Sequence, residues 1–273
     1  TFAAYCVLCA VGRTPQVAAL KHNQIFGPFL ARYILWLLGP LERVLLGRVS
    51  ANAITTASLL ACIGAAVAVA NGRLATAAWL YGLGGMFDLL DGRLARASGT
   101  QSPAGALFDS VSDRWAELAL FTGYAWYLQS SPWLLAVMAA AGGSMMVSYT
   151  RARGEGLGLS LSGGAMQRAE RVILVSVGTL VAAWLAAAPS TASYAPTAVG
   201  IALAVCGVTA TWTALGRWIV GYRQLQAQAR VATSPAPEPA PPVVVHVEPL
   251  PLSVTRPSMR PTAEISAGTA SHV

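Results

Sequence analysis

Apolar residues in this chain come in long runs without strict alternation. Six runs approach bilayer length: Ala53–Ala70, Leu74–Phe87, Ala106–Leu128, Pro132–Tyr149, Val172–Ala188 and Ala195–Val220. A helix rises about 1.5 Å per residue, so roughly 20 residues cross a 30 Å hydrocarbon core. Leu, Ala, Val and Gly fill the runs, and the lack of a period of two argues for helices against barrel strands. The second run is short, and its helix is expected to continue into the polar stretch that follows. The expected fold is an all-α integral membrane protein, with six transmembrane helices preceded by an interfacial amphipathic helix.

The flanks read differently. Pro28–Arg48 mixes Leu, Ile and Trp with spaced arginines, the pattern of a helix lying in the interface plane. Residues 28–52 are therefore assigned to an interfacial helix and 53–225 to a six-helix domain. The N-terminal segment 1–27 begins "TFAAYCVLCAVG", apolar but too short to span, and without the positive flank of a signal peptide. Its role is not evident. Residues 231–273 are proline-rich, which forbids regular helix and predicts a disordered tail.

Basic residues set the expected topology. Six crossings return the chain to the side on which it began. The connections on that side are 1–52, 91–105 and 150–171, with everything after 220. They carry Arg32, Arg43, Arg48, Arg93, Arg96, Arg151, Arg153, Arg168, Arg171, Arg223 and Arg230. The opposite connections, at 71–73, 129–132 and 188–196, hold Arg73 as their one basic residue. Such a bias predicts cytoplasmic termini in a multi-pass protein of the cell membrane.

Composition agrees. The chain of 273 residues is 55% hydrophobic and 11% charged, where soluble domains average about 25% charged. Its net charge of +7 follows from basic loops beside anionic headgroups and requires no nucleic-acid partner. Cys6 and Cys9 form a CxxC with no second pair to complete a zinc site. Cys62 and Cys206 fall in apolar runs and are expected to face lipid or core. The histidines, His22, His246 and His272, lie outside the runs, which argues against a histidine metal site or triad. No GxxxxGK[ST] is present.

Against this background one stretch stands out. "FDLLDGRLARASGTQSPAGALFDSVSDRW" (Phe87–Trp115) holds Asp88, Asp91, Asp109 and Asp113. Charge in a bilayer is costly and demands partners, water or metal. Asp88 and Asp91 are three residues apart and Asp109 and Asp113 four apart, so each pair shares a helix face. Two helix ends can then present four carboxylates to one point, and four such charges cannot all stay ionised uncompensated. Two divalent cations would balance them, and an all-oxygen donor set favours Mg2+ or Mn2+. Gly92, Ala95 and Gly105 keep the adjoining surface low for a ligand, and Arg96 offers a planar fork to phosphate. Glu117, one turn after Asp113, is expected to form a structural ion pair.

The full spacing is Asp-x2-Asp-Gly-x2-Ala-Arg-x8-Gly-x3-Asp-x3-Asp, occupied by Asp88, Asp91, Gly92, Ala95, Arg96, Gly105, Asp109 and Asp113. It resembles the signature of the CDP-alcohol phosphotransferases, integral-membrane enzymes of phospholipid synthesis, over roughly residues 40–225. The resemblance implies that Asp88, Asp91, Asp109 and Asp113 hold two metals and that Asp113 is also the general base. It implies a CDP site made by Asp88, Gly92, Ala95, Arg96, Gly105 and Asp109. The family's Pro-Asn-x2-Thr element appears here as "SANAIT", with Ala51 in place of proline, which adds Asn52 and Thr55 as nucleotide contacts. The bland alternative makes Asn52 or Thr55 only a helix cap.

The region from Ser148, "SYTRARGEGLGLSLSGGAMQRAERVILV", places Arg151, Arg153, Arg168 and Arg171 around one connection. Several arginines suit a phosphorylated acceptor, although arginines in such loops also serve as topology determinants. SY-x-R-A-R followed by R-x-E-R looks like bacterial phosphatidylinositol-phosphate synthases, which have Lys where Arg151 stands. The implied reaction moves a phosphatidyl group from CDP-diacylglycerol to a small polar alcohol, inositol 1-phosphate being favoured, and releases CMP. The same chemistry on glycerol 3-phosphate or another alcohol is the alternative. A cation-coupled transporter is a remote one, because the four aspartates flank a single connection. The resemblance further implies a homodimer.

Overall fold

The structure is a computed structural model that describes residues 27–161, 163–164 and 166–233. The N-terminal segment before Gly27, with Cys6 and Cys9, and the proline-rich tail beyond Thr233 lie outside the described residues. Among those described, every regular element is helical: α1 (Gly27–Leu45), α2 (Ala51–Ala70), α3 (Leu74–Ala97), α4 (Pro103–Tyr127), α5 (Leu134–Glu155), α6 (Arg168–Ala186), a 3-10 turn (Ala192–Tyr194) and α7 (Ala195–Thr233). The second apolar run and the polar stretch after it are one unbroken helix, α3. The connection expected at 91–105 therefore shrinks to 98–102.

Three stretches are long and apolar enough to cross a membrane by length and composition: Ala51–Ala70, Arg168–Ala186 and Ala192–Arg230. The runs in α3, α4 and α5 fall outside that set. Asp88, Asp91, Arg93 and Arg96 dilute α3, Asp109, Asp113, Arg114 and Glu117 dilute α4, and Gly142, Gly143, Arg151 and Arg153 dilute α5.

Helix ends follow local chemistry. Ser50 caps α2 by accepting from the Ala53 N–H at 3.3 Å. Ser102 caps α4 in the same way at 3.0 Å from the Gly105 N–H, with Pro103 in the first turn. Both satisfy N–H groups that have no partner inside the helix. Neither Asn52 nor Thr55 is the cap, so the helix-start reading of those residues is set aside. α1 ends at Leu45, and the chain turns through Gly47 at φ +74°, which favours glycine.

α2 packs on α3 and α4, α3 on α6, and α4 on α5. Their shared core includes Cys62, Val69, Tyr81, Leu120, Tyr124, Val137, Val175, Leu203 and Cys206, so both thiols face core. Small residues allow backbones to approach, as is common between membrane helices. A Cβ on Gly207 of α7 would stand 2.8 Å from Ala139 and Ala140 backbone atoms of α5. Tyr124 and Thr179 share a buried hydroxyl hydrogen bond of 2.5 Å between α4 and α6. α1 is tied to α3 by Arg93, which donates to Glu42 at 2.6 and 2.8 Å, while Leu45 packs on Ile54, Leu90 and Leu94.

Candidate functional site

The C-terminal half of α3 and the N-terminal half of α4 carry the four aspartates. One carboxylate oxygen from each of Asp88, Asp91 and Asp109 lies within 4.8 Å of the others. Asp91 is buried; its Oδ2 accepts from Thr55 Oγ1 at 2.6 Å and its Oδ1 from the Gly92 N–H at 2.5 Å. Thr55, expected to touch a nucleotide, thus fixes a carboxylate from the neighbouring helix. Asp109 Oδ1 is buried with no hydrogen-bond partner. A carboxylate oxygen left in that state costs free energy. Three converging hard oxygens, on residues that include an Asp109 with an unpartnered carboxylate oxygen, fit a divalent cation such as Mg2+ or Mn2+.

Asp113 stands beside this trio. Arg168 at the start of α6 bonds both Asp88 and Asp113, so one guanidinium links α3, α4 and α6. Arg114 lies 3.6 Å from Asp113.

A cavity of about 820 Å³ opens next to the trio, lined by Asn52, Thr55, Asp91, Gly92, Ala95, Arg96, Gly105 and Asp109. All expected CDP-site residues except Asp88 line it. The volume lies in the range of ligand pockets, roughly 300–1,000 Å³. Gly92 and Gly105 form part of the wall. A Cβ on Gly105 would stand 3.2 Å from Ser102 Oγ, and one on Gly92 would stand 3.4 Å from Arg96 Nη1. The α1–α2 turn, Gly47 to Ala51, and the α3–α4 connection, Ser98 and Thr100 to Pro103, close the rest of the wall. Sequence reasoning missed those two segments. Ser50 and Ser102 could have been found as hydroxyl residues just before periodic apolar stretches.

The four arginines do not converge. Arg151 pairs with Glu155 on its own helix at 2.9 Å. Arg153 lines a different cavity, between α5 and α7. Arg171 is buried and donates to Glu117 Oε1 at 2.5 and 3.1 Å, with a further bond to the Met166 carbonyl at 3.4 Å. Glu117 therefore forms the structural pair expected of it, and its partner is one of the arginines assigned to the acceptor. Arg168 alone of the four reaches the aspartates. The spread has a plain cause. Arg151 and Arg153 sit in the last turn of α5, Arg168 and Arg171 in the first turn of α6, and the segment 156–167 separates them.

Residues 48–223 match the CDP-alcohol phosphatidyltransferase family. Over 108 residues the chain is 38% identical to phosphatidylinositol phosphate synthase of Mycobacteroides abscessus, covering 38% of this chain and 48% of that protein. It thus spans about half the length of that relative. Archaetidylinositol phosphate synthase of Methanothermobacter thermautotrophicus is 33% identical over 167 residues, 61% of this chain and 80% of the relative. The structure superposes on Mycobacterium tuberculosis phosphatidylinositol phosphate synthase with CDP-DAG bound at a TM-score of 0.58 and 26% identity, covering 68% of this chain and 94% of that one. The same protein solved with manganese and citrate gives a TM-score of 0.58 at 27% identity, covering 67% and 88%. With the eight spaced residues at one site and the match running from the α1–α2 turn into α7, the chain belongs to the CDP-alcohol phosphatidyltransferase family.

Proposed function

We propose that this chain transfers a phosphatidyl group from CDP-diacylglycerol to the hydroxyl of a phosphorylated polar alcohol, inositol 1-phosphate being favoured, and releases CMP. The observation that carries this reading is the convergence of Asp88, Asp91 and Asp109 beside a cavity whose wall includes Asp91, Asp109, Gly92 and Gly105. The names of the similar proteins, phosphatidylinositol phosphate synthases, support the acceptor. Any phosphomonoester would suit Arg168, so glycerol 3-phosphate is the second reading.

The membrane arrangement belongs to the same proposal. All six apolar runs cross the bilayer, α1 lies in the interface, and the termini and the aspartate end face the cytoplasm, supported by the arginine bias. A homodimer is the assembly implied by the resemblance.

Each residue then has a task. Arg96 binds the pyrophosphate of the donor through its fork, and Gly92, Ala95 and Gly105 let the nucleotide approach the backbone. Asn52 borders the same cavity. Thr55 holds Asp91 in place through its hydroxyl. Two divalent ions, Mg2+ or Mn2+, on Asp88, Asp91, Asp109 and Asp113 would supply charge neutralisation for the carboxylates and the pyrophosphate. Arg168 binds the acceptor's phosphate, a ligand that competes for the N–H groups now given to Asp113. Asp113, so released, takes the proton of the acceptor hydroxyl as general base. The hydroxyl oxygen forms a new bond to the lipid-side phosphorus, the bond from that phosphorus to CMP breaks, and the proton ends on Asp113. Positioning and fixed charge account for most of the acceleration.

The test supplies purified protein with CDP-diacylglycerol and, separately, inositol 1-phosphate, glycerol 3-phosphate, serine or inositol, and identifies the lipid product by mass. Product from inositol 1-phosphate supports the reading. Product from serine or inositol alone would overturn the phosphorylated acceptor.

A further inference from the structure

A second cavity, of about 700 Å³, lies between α5 and α7 and shares no lining residue with the aspartate cavity. Its shape follows from small residues. α5 and α7 touch at Gly143 and Gly207, where a Cβ on Gly143 would stand 3.0 Å from the Gly207 carbonyl. Beside that contact Gly142 faces open space, with nothing within 4 Å of the position of a Cβ. Leu159 and Leu161 fold back from the 156–167 segment and are buried against the helices. A Cβ on Gly221 would lie 3.0 Å from Leu161 Cδ1. The walls, including Met146, Leu157 and Trp218, are apolar and exposed.

Two charges border this apolar groove. Arg217 is buried and committed, donating to the carbonyls of Gly163 and Val147 at 2.7 Å each, so it holds the segment to α5 and α7. Arg153 is exposed and has no hydrogen bond or ion pair among the described residues. The segment that follows α5 leads from the groove, at Leu159 and Leu161, to Arg168. Thr213 of α7 accepts from the Met166 N–H at 3.2 Å, two residues before Arg168, which contacts Asp88 and Asp113.

We infer that this groove binds one anionic phospholipid of the surrounding bilayer, its phosphate on Arg153 and an acyl chain along the apolar strip between α5 and α7. An exposed cation, unpaired among the described residues, on the lining of a largely apolar inter-helical groove favours a net anionic headgroup over a zwitterionic one, whose own ammonium offsets its phosphate. Tyr149 and Tyr222, also on the lining, are the amphipathic side chains that favour the headgroup level. The groove has none of the carboxylates that the donor site has, which separates a resident lipid from the nucleotide-linked substrate. The inference rests on the membrane placement proposed above and not on the transfer reaction.

The full chain, purified in detergent and offered equal amounts of phosphatidylglycerol and phosphatidylcholine, tests it by native mass spectrometry, which counts bound lipids and copies together. The wild type should retain phosphatidylglycerol in preference. Arg153→Gln should lower its retention by at least about tenfold, the worth of one charge-assisted contact. Arg151→Gln, two residues away and paired with Glu155, should retain it as the wild type does. Gly142→Leu fills open space and should expel both lipids. Unchanged preference in Arg153→Gln, or an equal loss in Arg151→Gln, would overturn the site. So would a Gly142→Leu protein that changes its number of copies while its lipid count stays constant, because the groove would then be a contact between chains. If Gly142→Leu does not fold, the two arginine variants still decide. Gly142 lies outside the aspartate cavity, so lipid retention and CMP release fail independently.

Discussion

On α4 and α6, Arg168 meets Asp113 together with Asp88 from α3, and one turn further along α6 Arg171 meets Glu117. The second contact is closed. Both side chains are 3% exposed, one cation faces one anion, and the spare guanidinium donor reaches the Met166 carbonyl. The first is open. Its side chains are 15–22% exposed, and one guanidinium stands against two carboxylates with Asp91 and Asp109 close by. The same residue chemistry, three positions apart on one helix, thus gives a matched pair that holds helices together and an acid-rich cluster that attracts cations. Stoichiometry and access separate the structural pair from the candidate site.

Removing divalent ions should split the two most widely. Excess EDTA should abolish CMP release from CDP-diacylglycerol, and Mg2+ or Mn2+ should restore it. Helix content should hold and the melting temperature should fall only by the stabilisation the bound ions supplied, because Glu117–Arg171 needs no metal. Undiminished turnover in EDTA would remove the metal reading of the aspartates.

Breaking the closed pair should act on stability. Glu117→Ala leaves Arg171 buried without its anion and should cost about 3–5 kcal/mol, read as lost folded protein or a lowered unfolding midpoint. The double variant Glu117→Leu/Arg171→Met should recover most of that, since buried pairs are often replaceable by apolar residues. No recovery would mean that the pair has a further role.

In the open cluster, Asp113→Asn should preserve folding and lower turnover by roughly 10²-fold or more, the usual worth of a general base. Near-normal turnover would sink that assignment. Arg168→Ala should raise the acceptor KM by roughly 10- to 150-fold and move the CDP-diacylglycerol KM much less. Equal changes in both constants would instead make Arg168 a brace for the aspartates. Arg151→Ala, whose partner is exposed Glu155, should change both constants least, as surface pairs are worth about 0–1 kcal/mol.

These effects also mark how far the sequence could be read. Asp88 with Asp91, and Asp109 with Asp113, are separated by one helical turn each, so local periodicity was enough to place them on shared faces. That the helix continues past Phe87 was expected from the shortness of the apolar run, but its end at Ala97 was not, since a connection was expected at 91–105. The division of labour between Arg168 and Arg171 was not. It depends on which neighbouring helix brings Glu117 or Asp88 within reach, a tertiary fact that spacing within α6 does not contain. Thr55 lines the cavity beside the other residues named for the nucleotide, but its bond to Asp91, which lies on another helix, was not legible. Arg153 and Arg171 were grouped by proximity in sequence, whereas Leu159 and Leu161, folding back against α5 and α7, help to separate them. The expected six spans rest on apolar runs, and the charges that dilute α3 and α4 include the four aspartates together with Arg93 and Glu117, which pair with Glu42 and Arg171.

The most direct measurement follows CMP release and lipid product together, with purified wild-type and Asp113→Asn protein, CDP-diacylglycerol, Mg2+ and inositol 1-phosphate. The wild type should release CMP in step with a phosphatidylinositol phosphate, and the variant, equally folded, should do neither at a comparable rate. Wild-type protein that forms no lipid product with this or any of the other acceptors, or an Asp113→Asn variant that forms it as fast, would contradict the account of the aspartate cluster as a phosphatidyl-transfer site.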